Sequence, residues 1–238
     1  MPPPGYVAYG AQNQGAYGGF EEIGGTAKTL DILMKVAIVA SVLSLVATVF
    51  FHGKAKDFTA GTLATSELNS SYRLLGVIGI ISGLVFLGIA VLTMVWMSRM
   101  AKNQQLLGRH GTWVPGWAVG GWFLPPCVLY VIPYLMMRDL WKASDPQSGP
   151  DWKKNAVGQI VHIWWVLYGL VPILFIGITL GNSGIGRRGQ TAQEVAKRIQ
   201  DNFGMQLVQG VVQIGAAVAF IMLVRQLTAR HRQVTNEV

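Results

Sequence analysis

Four long apolar runs, separated by short polar stretches, dominate the hydrophobic pattern of the chain. They cover residues 32–51, 74–97, 157–180 and 203–224 and together contain one charged side chain, Lys35. Each run exceeds the roughly 18 residues that a helix needs to cross the hydrocarbon core of a bilayer. The pattern predicts an all-α integral membrane protein with four transmembrane helices. The predicted spans are residues 30–52, 72–98, 157–181 and 203–226.

A fifth apolar segment, residues 113–141, is interrupted at its centre by Pro125 and Pro126. Consecutive prolines remove two backbone donors and force extended geometry on the residue before each ring. A half-helix of about 12 residues on either side is only about 18 Å long and reaches mid-bilayer. The segment is therefore either re-entrant, returning to the side it entered from, or a kinked fifth span.

The distribution of Lys and Arg favours the re-entrant alternative. It places eleven of these residues on one side of the membrane and seven on the other, whereas a full crossing gives eight and ten. Because basic residues in short loops favour the cytoplasmic side, we expect both termini to be cytoplasmic and the protein to lie in the plasma membrane.

The two ends of the chain have the composition of tails. Residues 1–27 are rich in Pro, Gly, Tyr and Gln, a composition that buries too little apolar surface to fold. Residues 229–238 form a short basic C-terminal tail. The predicted organisation is a flexible N-terminal tail, a membrane helical domain over residues 28–228, and this second tail.

Composition and charge narrow the function classes. The chain is 51% hydrophobic and 13% charged, with a mean hydropathy of +0.40, which is too apolar for a soluble protein. Its net charge of +8 is spread over helix ends, which favours contact with anionic lipids and not with nucleic acid. No carboxylate lies in an apolar run, and His162 has no second ligand at metal-binding spacing. We predict no catalytic residue, no cofactor and no metal.

Polar residues in and before the last run suggest contacts. Gln206, Gln209 and Gln213 recur at offsets of three and four, which places them on one helical face. Amides in hydrocarbon need partners, so this face meets another helix of this chain, a second protein, or lines a polar pore. Before it, Thr191 and Glu194 form a capping-box pattern that predicts a short helix on the membrane surface.

The broken segment carries a recognisable motif. It runs Pro-Gly-Trp-Ala-Val from Pro115, then Trp-Phe-x-Pro from Trp122, then Pro-Tyr from Pro133, and ends Arg-Asp-Leu-Trp at Trp141. The preceding helix carries an Arg and an Asn. The candidate functional residues are Arg99, Asn103, Trp117, Trp122, Phe123, Pro125, Pro126, Pro133, Tyr134, Arg138, Asp139 and Trp141.

This motif resembles the signature of a bacterial membrane family, common in actinobacteria, known only as domain of unknown function 4328. The resemblance implies an architecture but no reaction. Val128, Ile132 and Leu135 stand where the family typically carries polar side chains. The motif tryptophans are interfacial anchors by preference, and ligand stacking by Trp117 and Trp122 is the alternative.

Three function classes follow from these features. The first is an accessory or scaffold subunit of a larger membrane complex without catalytic activity, whose partners are other membrane proteins or further copies of itself. The alternative is a small-solute or lipid-handling transporter or channel that uses the Pro-broken segment. A membrane enzyme is disfavoured because no nucleophile, acid or metal set can be assembled.

Overall fold

The computed structural model describes residues 19–109, 112–123, 131–149, 151–171 and 191–237, and these residues form helices and no strand. The all-α prediction is confirmed. The elements are α1 (Gly24–Thr59), α2 (Thr65–Leu106), α3 (Trp117–Gly120) followed by a 3-10 turn (Gly121–Phe123), α4 (Val131–Ala143), a 3-10 turn (Trp152–Lys154), α5 (Gln159–Trp165) continued by a π-helical turn (Val166–Leu170), and α6 (Ala192–Thr235).

Three described helices are long and apolar enough to cross a membrane: α1, the Val77–Leu106 part of α2, and α6. Their apolar side chains are widely exposed, for example Val46 at 62% and Leu84 at 64%, which suits lipid contact. The remaining predicted span, residues 157–181, includes α5 from Gln159 onward, and its residues beyond 171 lie outside the described residues. Pro125 and Pro126 also lie outside them, so the re-entrant and kinked alternatives stay predictions.

Some residues of both predicted tails lie in helices. α1 begins at Gly24, and Ile23 before it is fully buried. The first backbone N–H groups of a helix lack intrahelical acceptors, and here Glu237 accepts from Ile23 N (3.1 Å) and Gly24 N (2.8 Å). α6 continues to Thr235. Residues 229–235 therefore continue α6, and Glu237 beyond it caps α1.

The predicted capping box is present but opens a longer helix than expected. Thr191 N donates to Glu194 Oε2 at 3.0 Å, and Glu194 N donates to Thr191 Oγ1 at 3.3 Å. α6 then runs without a break for 44 residues. No Pro or Gly-rich turn separates the two predicted helices, so they form one.

The chain divides into two compact units. The first unit takes in Met1–Asp31, Ala90–His162 and Met222–Val238, and its described core contains Leu30, Trp96 and Met136. The second unit comprises Ile32–Ile89 and Ile163–Ile221. One cluster of its core is small, with Ala55, Leu68 and Ala196 buried beneath Phe58, Leu63, Ala192 and Ile199.

Candidate functional site

A cavity of about 260 Å³ lies in the second unit, between α1, α2 and α6. Apolar residues line part of it, but its distinguishing feature is a set of uncharged polar side chains. They are Ser41, Ser44 and Thr48 on α1, Ser82 on α2, and Gln206, Gln209 and Gln213 on α6. All of them come from the apolar runs, and none of the described lining residues is charged. We call this the polar cavity.

The hydroxyls and the amides of the polar cavity differ in which hydrogen-bond donors and acceptors they leave free. Ser41 Oγ donates to Ala37 O at 2.8 Å, and Thr48 Oγ1 donates to Ser44 O at 2.9 Å. Their hydrogens are thus used within α1, and their oxygens present lone pairs. The side-chain amides of the three glutamines form no hydrogen bond within the described part of the chain. Their donors and acceptors are therefore available to whatever fills the cavity.

Two features of the sequence form this cavity. They are a row of polar side chains on each of two facing helices, α1 and α6, and a close contact between these helices. Gln206, Gln209 and Gln213 share a face of α6, as predicted, and residues 41, 44 and 48 share a face of α1 by the same three- and four-residue spacing. Between the rows, a Cβ at Gly210 would lie 2.9 Å from Leu45 Cγ. Glycine at 210 therefore allows α1 and α6 to approach closely beside the cavity.

The size and lining of the polar cavity indicate a hydrated, uncharged site. At about 30 Å³ of liquid volume per water, it has room for roughly eight waters. An amide left without a partner in an apolar medium costs several kcal/mol, so polar contents are strongly favoured over lipid chains. Because none of the described lining residues is charged, the site suits neutral polar groups.

The motif residues of α2 serve a different purpose in the first unit. Asn103 is buried, and its Oδ1 accepts from Glu21 N at 2.8 Å while its Nδ2 donates to Glu21 O at 2.9 Å. Arg99 Nη1 donates to Glu22 O and to Thr26 Oγ1, both at 3.0 Å. These two motif residues hold the segment that leads into α1.

His231, which was not among the predicted site residues, joins the same network. Asn103 Nδ2 lies 3.1 Å from His231 Nε2. Because Asn103 Oδ1 is engaged by Glu21, the amide faces Nε2 with a donor, so Nε2 accepts and Nδ1 carries the proton. The Nδ1–H group donates to Ser144 Oγ at 3.0 Å, and Gln104 Nε2, which lies 3.2 Å from Nδ1, donates to the same Ser144 oxygen at 3.0 Å.

His231 is neutral at physiological pH. It is fully buried and lies beyond the apolar run of α6, which ends at Val224. Burial, followed by the positive charge of Arg109, lowers the pKa of His231 to about 4. A helical face that continues past the apolar run through Leu227, Thr228 and His231 is the signal that could have identified this residue.

The motif residues of α4 form three separate sets of contacts. Arg138 pairs with Asp139 at 2.9 Å, and Tyr134 Oη lies 3.1 Å from His162 Nδ1. The Trp141 ring lies beneath the guanidinium of Arg230, 4.8 Å from ring centroid to Cζ.

The remaining motif residues vary in exposure. Pro133 is buried and Trp122 is half-buried, whereas Trp117 is 42% exposed and Phe123 is 75% exposed. Trp96, which lies outside the motif, is fully buried, and its Nε1 donates to Thr228 Oγ1 at 3.1 Å. The described motif residues therefore do not converge on one catalytic centre. No group of three His, Cys, Asp or Glu side chains suited to a metal ion occurs within the described ranges.

Comparison with protein families gives one match. Residues 59–229 match the model described as Domain of unknown function (DUF4328). The match covers most of the chain, so the protein belongs to this family, in agreement with the resemblance carried by the motif. No curated protein and no solved structure matches the chain.

Proposed function

We propose that this family member is an integral membrane protein that binds a small, uncharged, polar solute in the polar cavity and lets it pass through the membrane. The observation that carries the proposal is the hydrogen-bonding lining formed by Ser41, Ser44, Thr48, Ser82 and the three glutamines within otherwise apolar helices. This is the transport alternative of the sequence analysis, with the polar cavity in place of the Pro-broken segment.

The lining also defines the class of solute. Hydroxyl oxygens on α1 accept hydrogen bonds, and the amides on α6 both donate and accept. A compound with several hydroxyl or amide groups satisfies both walls. A charged solute gains no opposite charge to offset its loss of hydration, which is several kcal/mol even after relaxation. Polyols and urea-like amides therefore fit best.

The membrane setting is part of the same proposal. We place the protein in a bacterial plasma membrane with both termini cytoplasmic and with its basic helix ends near anionic lipid headgroups. The motivation is the excess of Lys and Arg on one side of the predicted topology.

Osmotic swelling of proteoliposomes tests the transport proposal. Stopped-flow light scattering would compare glycerol, erythritol and urea with zwitterionic glycine betaine, which carries a full positive and a full negative charge. We expect at least one uncharged solute to enter faster than in protein-free vesicles, and Gln209→Leu to abolish the difference. Gln193→Leu, the same change at an exposed position of α6 outside the cavity, is the matched control and should retain entry.

Two results would contradict the proposal. One is entry no faster than in empty vesicles for every solute tested. The other is equal entry through the wild type and Gln209→Leu, which would place the route elsewhere.

An accessory role is the second candidate, and it is favoured by exposed apolar residues in the motif. Trp117 is 42%, Val119 is 44% and Phe123 is 75% exposed. Such residues beside a family motif suit contact with another membrane protein or with a second copy of the chain. Purification in mild detergent should then yield a partner at constant stoichiometry that Phe123→Ser loses and Val46→Ser retains. Purification as a monomer would contradict this role.

A further inference from the structure

A second pocket, of about 380 Å³, lies in the first unit and is lined by Thr112, Trp113, Val114, Trp117 and Asp139. It lies apart in sequence from the residues of the polar cavity. Two indole rings form its walls: their centroids are 5.8 Å apart and their planes meet at 77°. The pair therefore makes a corner, with an aromatic face available on one side and an aromatic edge on the other.

Asp139 fixes this corner. Its Oδ2 accepts from Trp113 Nε1 at 3.1 Å, and its Oδ1 accepts from Arg138 Nε at 2.9 Å. The side chain of Asp139 is only 17% exposed. A mostly buried carboxylate thus holds one indole in place while it lines the pocket itself.

The electrostatics of the lining select a cation of a particular kind. Indole faces carry negative charge density and attract cations within about 6 Å of the ring. Arg138 offsets much of the carboxylate charge without being part of the lining, so a strongly hydrated ion such as Na⁺ gains little on leaving water. A weakly hydrated cation with an apolar surface gains from both the rings and Val114.

We propose that this pocket binds an alkylammonium group, with a quaternary ammonium preferred. The group belongs either to the headgroup of a zwitterionic lipid or to a free amine in solution, and the recognition chemistry is the same for both. Trp113 and Trp117 contact the cation, Asp139 adds its carboxylate and anchors Trp113, and Val114 packs against the methyl groups.

Indole N–H resonances provide the test. Protein carrying ¹⁵N-tryptophan in detergent would be titrated with choline chloride, with NaCl, and with 3,3-dimethyl-1-butanol, the uncharged analogue of choline. Trp113→Phe and Trp117→Phe assign the two signals. The Trp96 signal, whose N–H donates to Thr228 in the core, reports that each variant is folded.

The expected result is a saturable shift of the Trp113 and Trp117 signals with choline, about tenfold tighter than with the uncharged analogue. Trp117→Leu should abolish the shift, and Asp139→Asn should weaken it severalfold while keeping an acceptor for Trp113. Equal shifts with NaCl, equal affinity for the uncharged analogue, or no saturable shift in folded protein would overturn the proposal.

Nanodiscs distinguish the two sources of the cation. If the source is a lipid headgroup, phosphatidylcholine places both signals at their choline-bound positions, and added choline changes nothing further. If the source is a soluble amine, the signals in phosphatidylcholine match those in phosphatidylglycerol, and choline shifts them in both. Both results support the pocket, and absence of any choline-like shift in either bilayer overturns it.

Discussion

The two units differ in whether their polar side chains have hydrogen-bond partners within the protein. In the first unit, Asn103, Ser144 and His231 are fully buried and hydrogen-bonded to one another or to backbone groups. In the second, Gln206, Gln209 and Gln213 face a cavity and have no described protein partner. A satisfied polar network fixes one arrangement of the chain, whereas unsatisfied groups around a cavity await a ligand. The contrast separates a polar cluster that is satisfied within the protein from the one that we propose binds a solute.

The largest effect is expected from His231→Leu. The change removes the ring that accepts from Asn103 Nδ2 and donates to Ser144 Oγ, and each buried group left unsatisfied costs about 1–3 kcal/mol. We expect a loss of about 3–4 kcal/mol in the free energy of unfolding, measured by denaturant titration in detergent. A loss below about 1 kcal/mol would mean that the network is not structural.

Acidification should weaken the same network by a similar amount. The folded-state pKa of His231, about 4, is below its usual value of 6.5, so the unfolded state binds a proton first as the pH falls. Stability should be constant above pH 6.5 and should decline by about 3 kcal/mol by pH 4. Thermal unfolding between pH 7 and 4 measures this. His231→Leu is the control, because it should keep only the smaller decline due to carboxylates; an unchanged pH profile in that variant would refute the assignment.

The next largest loss of stability is expected from a substitution at Gly158, which packs against Trp141. Gly158 precedes α5, and a Cβ there would collide with the indole ring, which cannot bend aside. Gly158→Ala should therefore lower the free energy of unfolding by about 2 kcal/mol. Gly149→Ala, where an added Cβ meets nothing within 4 Å, is the control. Equal stabilities of the two variants would show that Trp141 can move.

In the second unit, alanine substitutions at two glycines of α6 should change the free energy of unfolding in opposite directions. Gly210→Ala places a Cβ against Leu45, whereas Gly204→Ala meets nothing within 4 Å. We expect Gly210→Ala to lose about 1 kcal/mol, and Gly204→Ala to gain up to about 1 kcal/mol because alanine favours the helix. Thermal unfolding of the pair side by side measures the difference. Parallel changes would argue against the close approach beside the polar cavity.

The smallest change in stability is expected from Gln209→Leu, even though it should abolish solute entry. Its amide has no described protein partner to lose, so the free energy of unfolding should stay within about 0.5 kcal/mol of the wild type or rise. The same denaturant titration used for His231→Leu checks this. A loss comparable to that of His231→Leu would remove the contrast between the units.

Local patterns in the sequence predicted part of this account. The apolar runs predicted the long helices, the capping box at Thr191 opens α6, and the spacing of the glutamines placed them on one face. The matching row at Ser41, Ser44 and Thr48 carried the same signal but was missed, because hydroxyls are common in apolar helices and attract less attention than amides.

Other features depend on contacts between residues distant in sequence. Glu237 caps the start of α1 from the far end of the chain, and no local pattern predicts that pairing. The corner of Trp113 and Trp117 around Asp139 likewise depends on how α3 and α4 meet. Trp117 and Asp139 were among the motif residues, but only the folded structure shows that Trp113 lies beside them.

The transport proposal requires water in the polar cavity, and thiol labelling in membranes measures whether water reaches it. With Cys127 replaced by serine, Ser44→Cys places a thiol in the cavity, and Val46→Cys places one on the exposed apolar face of the same helix. Aqueous methanethiosulfonate reagents react with thiolates, which form only where water reaches. We expect Ser44→Cys to be labelled much faster than Val46→Cys, and we expect the transported solute to slow the labelling of Ser44→Cys. Equal inertness of both thiols would show that the cavity is dry and would contradict the transport proposal.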